Sequence, residues 1–336
     1  MTSAQSERPF DGVRLHVVTG KGGTGKTTVA AALALALASN GRRTLLCEVE
    51  GRQGLARLFD CPPLPYEETH LAVAPGGGDV YGLAVEPRAA LMEYLEIFYT
   101  MGKRAGRILD RMGAIDFATT IAPGLRDVLL TGKIYEAVRR RERGRPVYDA
   151  VVLDAPPTGR ITRFLNVNSE VSGLAKVGPI RKQADSIMSV LKSPATAVHL
   201  VTLLEEMPVQ ETVDGVAELR GAGLPVGAVI VNQMRDDLLP SHALAAAGEG
   251  TLDGTEVREG LVESGLVKSS QPGTRIIDGL LAEAAEHNER IALQREERAE
   301  LDTLGRPVFE LPLLPSGIDL GALYSLADIM CKQGLT

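Results

Sequence analysis

The sequence predicts an α/β fold, a mostly parallel sheet covered by helices on both faces and carrying helical insertions. Short β-rich runs alternate with longer helical stretches along its 336 residues, the pattern of parallel strands joined by crossover helices. Several of those runs are continuously apolar, as strands covered on both faces are. The first run also passes through a glycine-rich turn straight into a helix rich in Ala and Leu.

Taken in order, strands are expected at Arg14–Thr19, Thr44–Val49, Val80–Val85, Tyr148–Asp154, Ala197–Leu203, Val226–Val231 and Val308–Leu311. A helix from about Lys26 to Ser39 follows the first strand, and Gly41 sits where a helix C-cap belongs. Residues 1–12 are polar and are expected to form a disordered tail; 13–330 are expected to form one domain. Helical insertions are expected at about 88–143, 166–192 and 238–303. In the last of these a helix from roughly Thr274 to Leu301 repeats apolar residues at Ile277, Leu280, Leu281, Ala284 and Ile291. Its charged run Arg290–Glu300 reads as a solvated face. The Gly-rich turn Pro75–Asp79 reads as a surface loop, because no Lys-Ser/Thr pair follows it.

Composition excludes several function classes. The net charge of −7 argues against a nucleic-acid-wrapping surface, which needs a basic face. The three cysteines, Cys47, Cys61 and Cys331, are far apart and form no CxxC, which points to a reducing cytosol and not to a disulfide framework or a zinc site. The start lacks a signal-peptide apolar core, and the longest apolar run, Val29–Ala38, is about half of what a membrane span needs. A cytoplasmic protein without stable membrane insertion is expected.

The chemistry-bearing motif is Gly20-Lys21-Gly22-Gly23-Thr24-Gly25-Lys26-Thr27-Thr28, which fits GxxxxGK[ST] between a strand and a helix. Its glycines let backbone N–H groups turn inward around phosphates, and the helix N-terminus adds its positive end. Lys26 is expected to reach the β- and γ-phosphates of ATP, and the Thr27 hydroxyl to ligate Mg²⁺. The strand Val151-Val152-Leu153-Asp154 ends in an acid, the arrangement that brings a carboxylate near that metal.

Further stretches carry a family resemblance. Lys21, directly after the first glycine, marks the deviant P-loop class of partition, septum-site, nitrogenase-iron-protein and arsenite-pump ATPases. Asp154-Ala155-Pro156-Pro157-Thr158-Gly159-Arg160 and the residues to Leu165 resemble the second switch of the arsenite-pump ATPases. They equally resemble the guided-entry ATPase that targets tail-anchored membrane proteins. Val85-Glu86-Pro87, Ala122-Pro123-Gly124, Val231-Asn232-Gln233 and Leu311-Pro312-Leu313-Leu314-Pro315 look like further motifs of that family.

The resemblance implies a dimeric ATPase that sandwiches nucleotide between two chains, with Lys21 reaching the partner's phosphates. It implies that Asn232 hydrogen-bonds the adenine and that the loop at Pro315 packs on it. The family's first switch begins Asp-Pro-Ala, with an aspartate that positions the attacking water. Here that place holds Glu50-Gly51-Arg52-Gln53, and Glu48 with Glu50 look closer to the Asp-x-Asp of partition ATPases. Glu50 is the expected water-positioning residue, with slow turnover as its corollary, since errors of about 1 Å in positioning cost roughly 100-fold.

Three outputs compete. An arsenite pump needs clustered thiols, and the three cysteines read as buried or incidental. A client groove for apolar segments would draw on Ala89–Tyr99 and on Met92, Met101, Met112 and Met188, though Met and Leu at helical spacing more often mean internal packing. A nucleotide-dependent switch needs only a two-state element closed by ATP. The expected partner is a second copy or a paralogous ATPase, with a protein client left open. The competing reading is a weakly active or inactive ATP-binding switch subunit of such a heteromer.

Overall fold

A computed structural model describes residues 9–99, 123–166, 179–268 and 273–336. Eight strands form one sheet in the order β10-β9-β8-β1-β7-β2-β4-β3. They are β1 Leu15–Gly20, β2 Arg43–Glu48, β3 Thr69–Val73, β4 Asp79–Ala84, β7 Ala150–Asp154, β8 Thr196–Thr202, β9 Val226–Met234 and β10 Val308–Pro312. All pair in parallel except β3, which runs antiparallel to β4. Two-residue strands β5 Arg141–Glu142 and β6 Arg145–Pro146 form a separate hairpin.

The helices are α1 Lys26–Ala38, α2 Gly54–Leu58, α3 Pro87–Tyr99, α4 Pro123–Arg139, α5 Thr158–Leu165 and α6 Pro179–Leu191. They continue as α7 Glu206–Gly221, α8 Ser241–Gly248, α9 Gly254–Glu263, α10 Thr274–Asp302 and α11 Leu320–Lys332. Every residue of α1 from Val29 to Ala38 is buried, which its uniform apolarity requires. It lies in one core with the α11 residues Leu323, Leu326, Ala327 and Met330 on one face of the sheet. A second core on the other face gathers Val17, Leu45, Val151 and Leu153 with residues of α4, α5, α6 and α7.

Three expectations are corrected. Strand β3 was not anticipated; the glycine-rich turn expected as a surface loop is an exposed loop, and it joins β3 to β4. The first insertion is not helical through Arg143: α4 stops at Arg139, and Arg143 and Gly144 take left-handed φ of 50° and 80° at the tip of the β5–β6 hairpin. Residues 9–12 form a turn instead of a disordered tail, and Phe10 packs edge-on against His199 with ring centroids 4.9 Å apart. Met188 and part of Met92 are buried in packing, while Met101 and Met112 lie outside the described residues. No helix among the described residues is long and apolar enough to cross a membrane.

Candidate nucleotide site

The glycine-rich turn leaves β1 at the C-terminal edge of the sheet and enters α1. Two glycines there are sterically required. A Cβ on Gly20 would stand 2.1 Å from the Val201 carbonyl oxygen, and one on Gly25, whose φ is +85°, would stand 2.3 Å from Asn232 Nδ2. Gly25 takes the N-cap position of α1 and offers no side-chain cap, so the first N–H groups of a buried helix are left for an anion. Within the turn, Thr24 Oγ1 and Lys26 Nζ both donate to the Lys21 carbonyl, at 2.9 and 3.1 Å. Burial lowers the pKa of Lys26, opposed by the charges of Asp154 and Glu50.

The Thr27 hydroxyl donates to Asp154 Oδ2 at 2.7 Å, joining the start of α1 to the end of β7. Burial pushes the Asp154 carboxyl up to a pKa of about 6; the Thr27 hydroxyl and Lys26 oppose that, and Glu48 and Glu50 reinforce it. Hydroxyl and carboxylate oxygens are the donors Mg²⁺ takes, usually one or two from protein with the rest from phosphates and water. Among the described residues no group of three or more His, Cys, Asp or Glu is arranged to hold a metal by itself. The Thr27–Asp154 pair therefore fits a cation that arrives with a nucleotide.

The segments that follow β2 and β7 meet at Glu50. Its Oε2 lies 3.7 Å from Arg52 Nε, and its Oε1 lies 3.7 Å from Arg160 Nη1 on α5. With Arg126, Asp127 and Pro156 these residues line a cavity of about 200 Å³. Thr19 Oγ1 donates to the Pro156 carbonyl at 2.7 Å, fixing the second switch to the end of β1. Lys21 turns back within its own chain, its Nζ 2.9 Å from Glu211 Oε1 on α7.

Asn232 stands at the other side of the turn. Asn232 is buried, and its Nδ2 donates to the Thr24 carbonyl at 2.9 Å, bracing the turn from β9. Pro315 is exposed on the loop after β10, which Leu313 ties to β9 by donating its N–H to the Met234 carbonyl at 2.8 Å. The turn, Lys26, Thr27, Asp154 and Glu50 thus converge, with Asn232 against the turn; Pro315 is not brought to them by any contact among the described residues. Sequence reasoning missed Glu211 as the partner of Lys21 and Arg160 as a partner of Glu50. It noted Glu48 only as half of a Glu-x-Glu pair, though that spacing was a usable signal. Cys47 is buried with its thiol pKa raised by burial, and all three cysteines are unpaired.

Comparison with known proteins accords with this geometry. The sequence pattern of the anion-transporting ATPases matches residues 13–194. ATPase BagA of Mycobacterium tuberculosis is 53% identical over 327 residues, which cover 97% of this chain and 95% of that protein. ATPase GET3 of Kluyveromyces lactis is 27% identical over 251 residues, covering 65% of this chain and 71% of that protein. On these matches, the chain belongs to the anion-transporting ATPase family.

Proposed function

We propose that this chain hydrolyses Mg²⁺-bound ATP slowly at the Gly20–Thr28 turn, and that ATP closes it against a second copy or a paralogous ATPase. The observation that carries the reading is the 2.7 Å bond between Thr27 and Asp154 beside the uncapped N-terminus of α1. Backbone N–H groups of Gly22, Gly23, Thr24, Gly25 and Lys26 would cradle the phosphates, with Lys26 balancing charge on the β- and γ-groups. Thr27 and Asp154 would hold Mg²⁺, which when bound neutralises charge on the phosphate oxygens. A water oriented by Glu50 attacks the γ-phosphorus, the bond to the bridging β-oxygen breaks, and the water's proton passes to phosphate.

The arginine contacts of Glu50 support slow turnover, because a carboxylate paired with Arg52 and Arg160 must turn toward water before it can act. Asn232 and the Pro315 loop would bound the base; the Asn232 amide nitrogen serves the turn, which leaves its carbonyl oxygen as the base-facing acceptor. Three unpaired cysteines favour the cytoplasm.

A second reading, a switch subunit that binds ATP with little hydrolysis of its own, is favoured by one observation. Lys21 and Glu50, the two groups that would act on the γ-phosphate, both have counter-ions within the chain. ATP binding and hydrolysis by the purified chain, with Lys26→Ala as control, separate the two. Hydrolysis lost in the control supports the first reading, and binding without hydrolysis supports the second. Absence of ATP binding by the wild type refutes both.

A further inference from the structure

We propose that Glu48 is a third protein group of the divalent-cation site, acting beside Thr27 and Asp154; the inference rests on the Mg²⁺-ATP reading above.

Glu48 is the last residue of β2 and is in register with Asp154, the last residue of β7. Residues in register on parallel neighbours leave the sheet on the same face. That face belongs to α1, because Leu46 and Val152, two positions earlier on each strand, both pack in the core that α1 fills. Glu48 is only 3% exposed. A Cβ built on Gly54 would lie 3.8 Å from Thr27 Oγ1 and 3.9 Å from Glu48 Oε2, so hydroxyl and carboxylate flank one glycine. Glu48, Thr27 and Asp154 therefore share one recess at the edge of the sheet.

The two oxygens of this carboxylate differ. Oε2 accepts the Leu55 N–H at 3.2 Å, holding the first turn of α2. Oε1 is buried and has no hydrogen-bond partner among the described residues. A buried, unpartnered carboxylate oxygen is costly, and more so beside a second carboxylate. A hydrated divalent cation supplies both a positive charge and an O–H donor for the Glu48 Oε1 that the described residues leave unpartnered. Glu50 differs from Glu48 in facing two arginines. The Glu-x-Glu pair is thus divided, with Glu48 toward the cation and Glu50 toward the γ-phosphate water.

Holding α2 requires only an acceptor, whereas serving the cation requires charge. Glu48→Gln keeps an oxygen for the Leu55 N–H and removes the charge, so it separates the two roles. Mn²⁺ is titrated into the full chain loaded with a non-hydrolysable ATP analogue, and free Mn²⁺ is read by electron paramagnetic resonance. Glu48→Gln should weaken Mn²⁺ binding by about tenfold, the low end of what loss of an outer-shell partner costs, with metal-free melting no lower than that of the wild type. Equal Mn²⁺ affinity overturns the proposal and leaves Glu48 as a support for α2. A wild type that binds no Mn²⁺ with the analogue overturns this proposal together with the Mg²⁺-ATP reading. Should Glu48→Gln not fold, Glu50→Gln protein carrying ¹³C-glutamate and Mn²⁺ decides the matter by electron–nuclear double resonance. A carboxylate ¹³C coupling is then expected, and none overturns the proposal.

Discussion

Lys21 Nζ lies 2.9 Å from Glu211 Oε1, and the other oxygen of that carboxylate lies 3.5 Å from Thr158 Oγ1 at the start of α5. One acid on α7 thus holds the lysine of the phosphate turn and touches the second switch. The two side chains are 30% and 38% exposed, so solvent screens the pair and it adds little to stability. Under the proposed closure against a partner its effect belongs to the nucleotide cycle, because a lysine engaged with Glu211 cannot simultaneously reach a partner's phosphates. Glu211→Gln should therefore raise ATP turnover by up to about fivefold, equivalent to the ~1 kcal/mol an exposed ion pair is worth at most. Lys21→Ala should bind ATP normally and turn it over more slowly. Steady-state hydrolysis across protein concentrations checks both, and unchanged rates in both variants would remove any gating role from the pair.

Glu50 has two arginine neighbours and the charge of Lys26 nearby, so neutralising it separates binding from chemistry. Glu50→Gln should retain ATP and lose hydrolysis by about 100-fold or more, the usual cost of losing a group that positions a reactant. It should also accumulate an ATP-bound, larger species in gel filtration. Wild-type hydrolysis in this variant would clear Glu50 of the water-orienting role and turn attention to Asp127 and the arginines of the same cavity.

The parallel strands were legible because each is a continuous apolar run. Strand β3 was not, since Thr69-His70-Leu71-Ala72-Val73 is a half-exposed edge strand whose one well-buried residue is Ala72. In the site, whatever is encoded within a few residues was readable: the turn, Lys26, Thr27, and Asp154 at a strand end. Pairings made by tertiary closure were not. Glu211 and Asn232 meet the turn only after β8 and β9 have been laid beside β1, and nothing near either residue announces its partner.

Asn232 makes a prediction of its own. Its Nδ2 satisfies the Thr24 carbonyl in a buried setting, and a Cβ on Gly25 would collide with it. Asn232→Ala leaves that carbonyl unsatisfied and opens space beside the turn, which should cost about 1–3 kcal/mol of stability. ATP affinity should fall together with stability, because the turn loses its brace. Calorimetric titration with ATP and with a triphosphate of a different base tells bracing from base reading. Equal losses for the two mean bracing alone, and a loss confined to ATP means that Asn232 reads adenine.

The buried histidines set the response to acid. His16 Nδ1 and His199 Nε2 are 3.1 Å apart in stacked rings, and the Ala228 N–H donates to His199 Nδ1 at 3.1 Å. Burial lowers the pKa of His16 to about 4, opposed by the Val13 backbone, and takes that of His199 well below its usual value. A base with a depressed folded pKa contributes stability that is complete above its unfolded value near 6.5. That stability is lost as pH falls toward 4, on the order of 3 kcal/mol for His16 alone. Asp154 acts in the opposite sense. Its raised pKa of about 6 means that its favourable contribution is present below the unfolded value and disappears as pH rises through 6. In the wild type the two changes offset each other between pH 7 and pH 4.5. Asp154→Asn removes one of them, so urea unfolding of that variant should show a steeper loss of stability over this interval than the wild type does. Parallel pH profiles for the two proteins would mean that Asp154 is not linked to folding in this way.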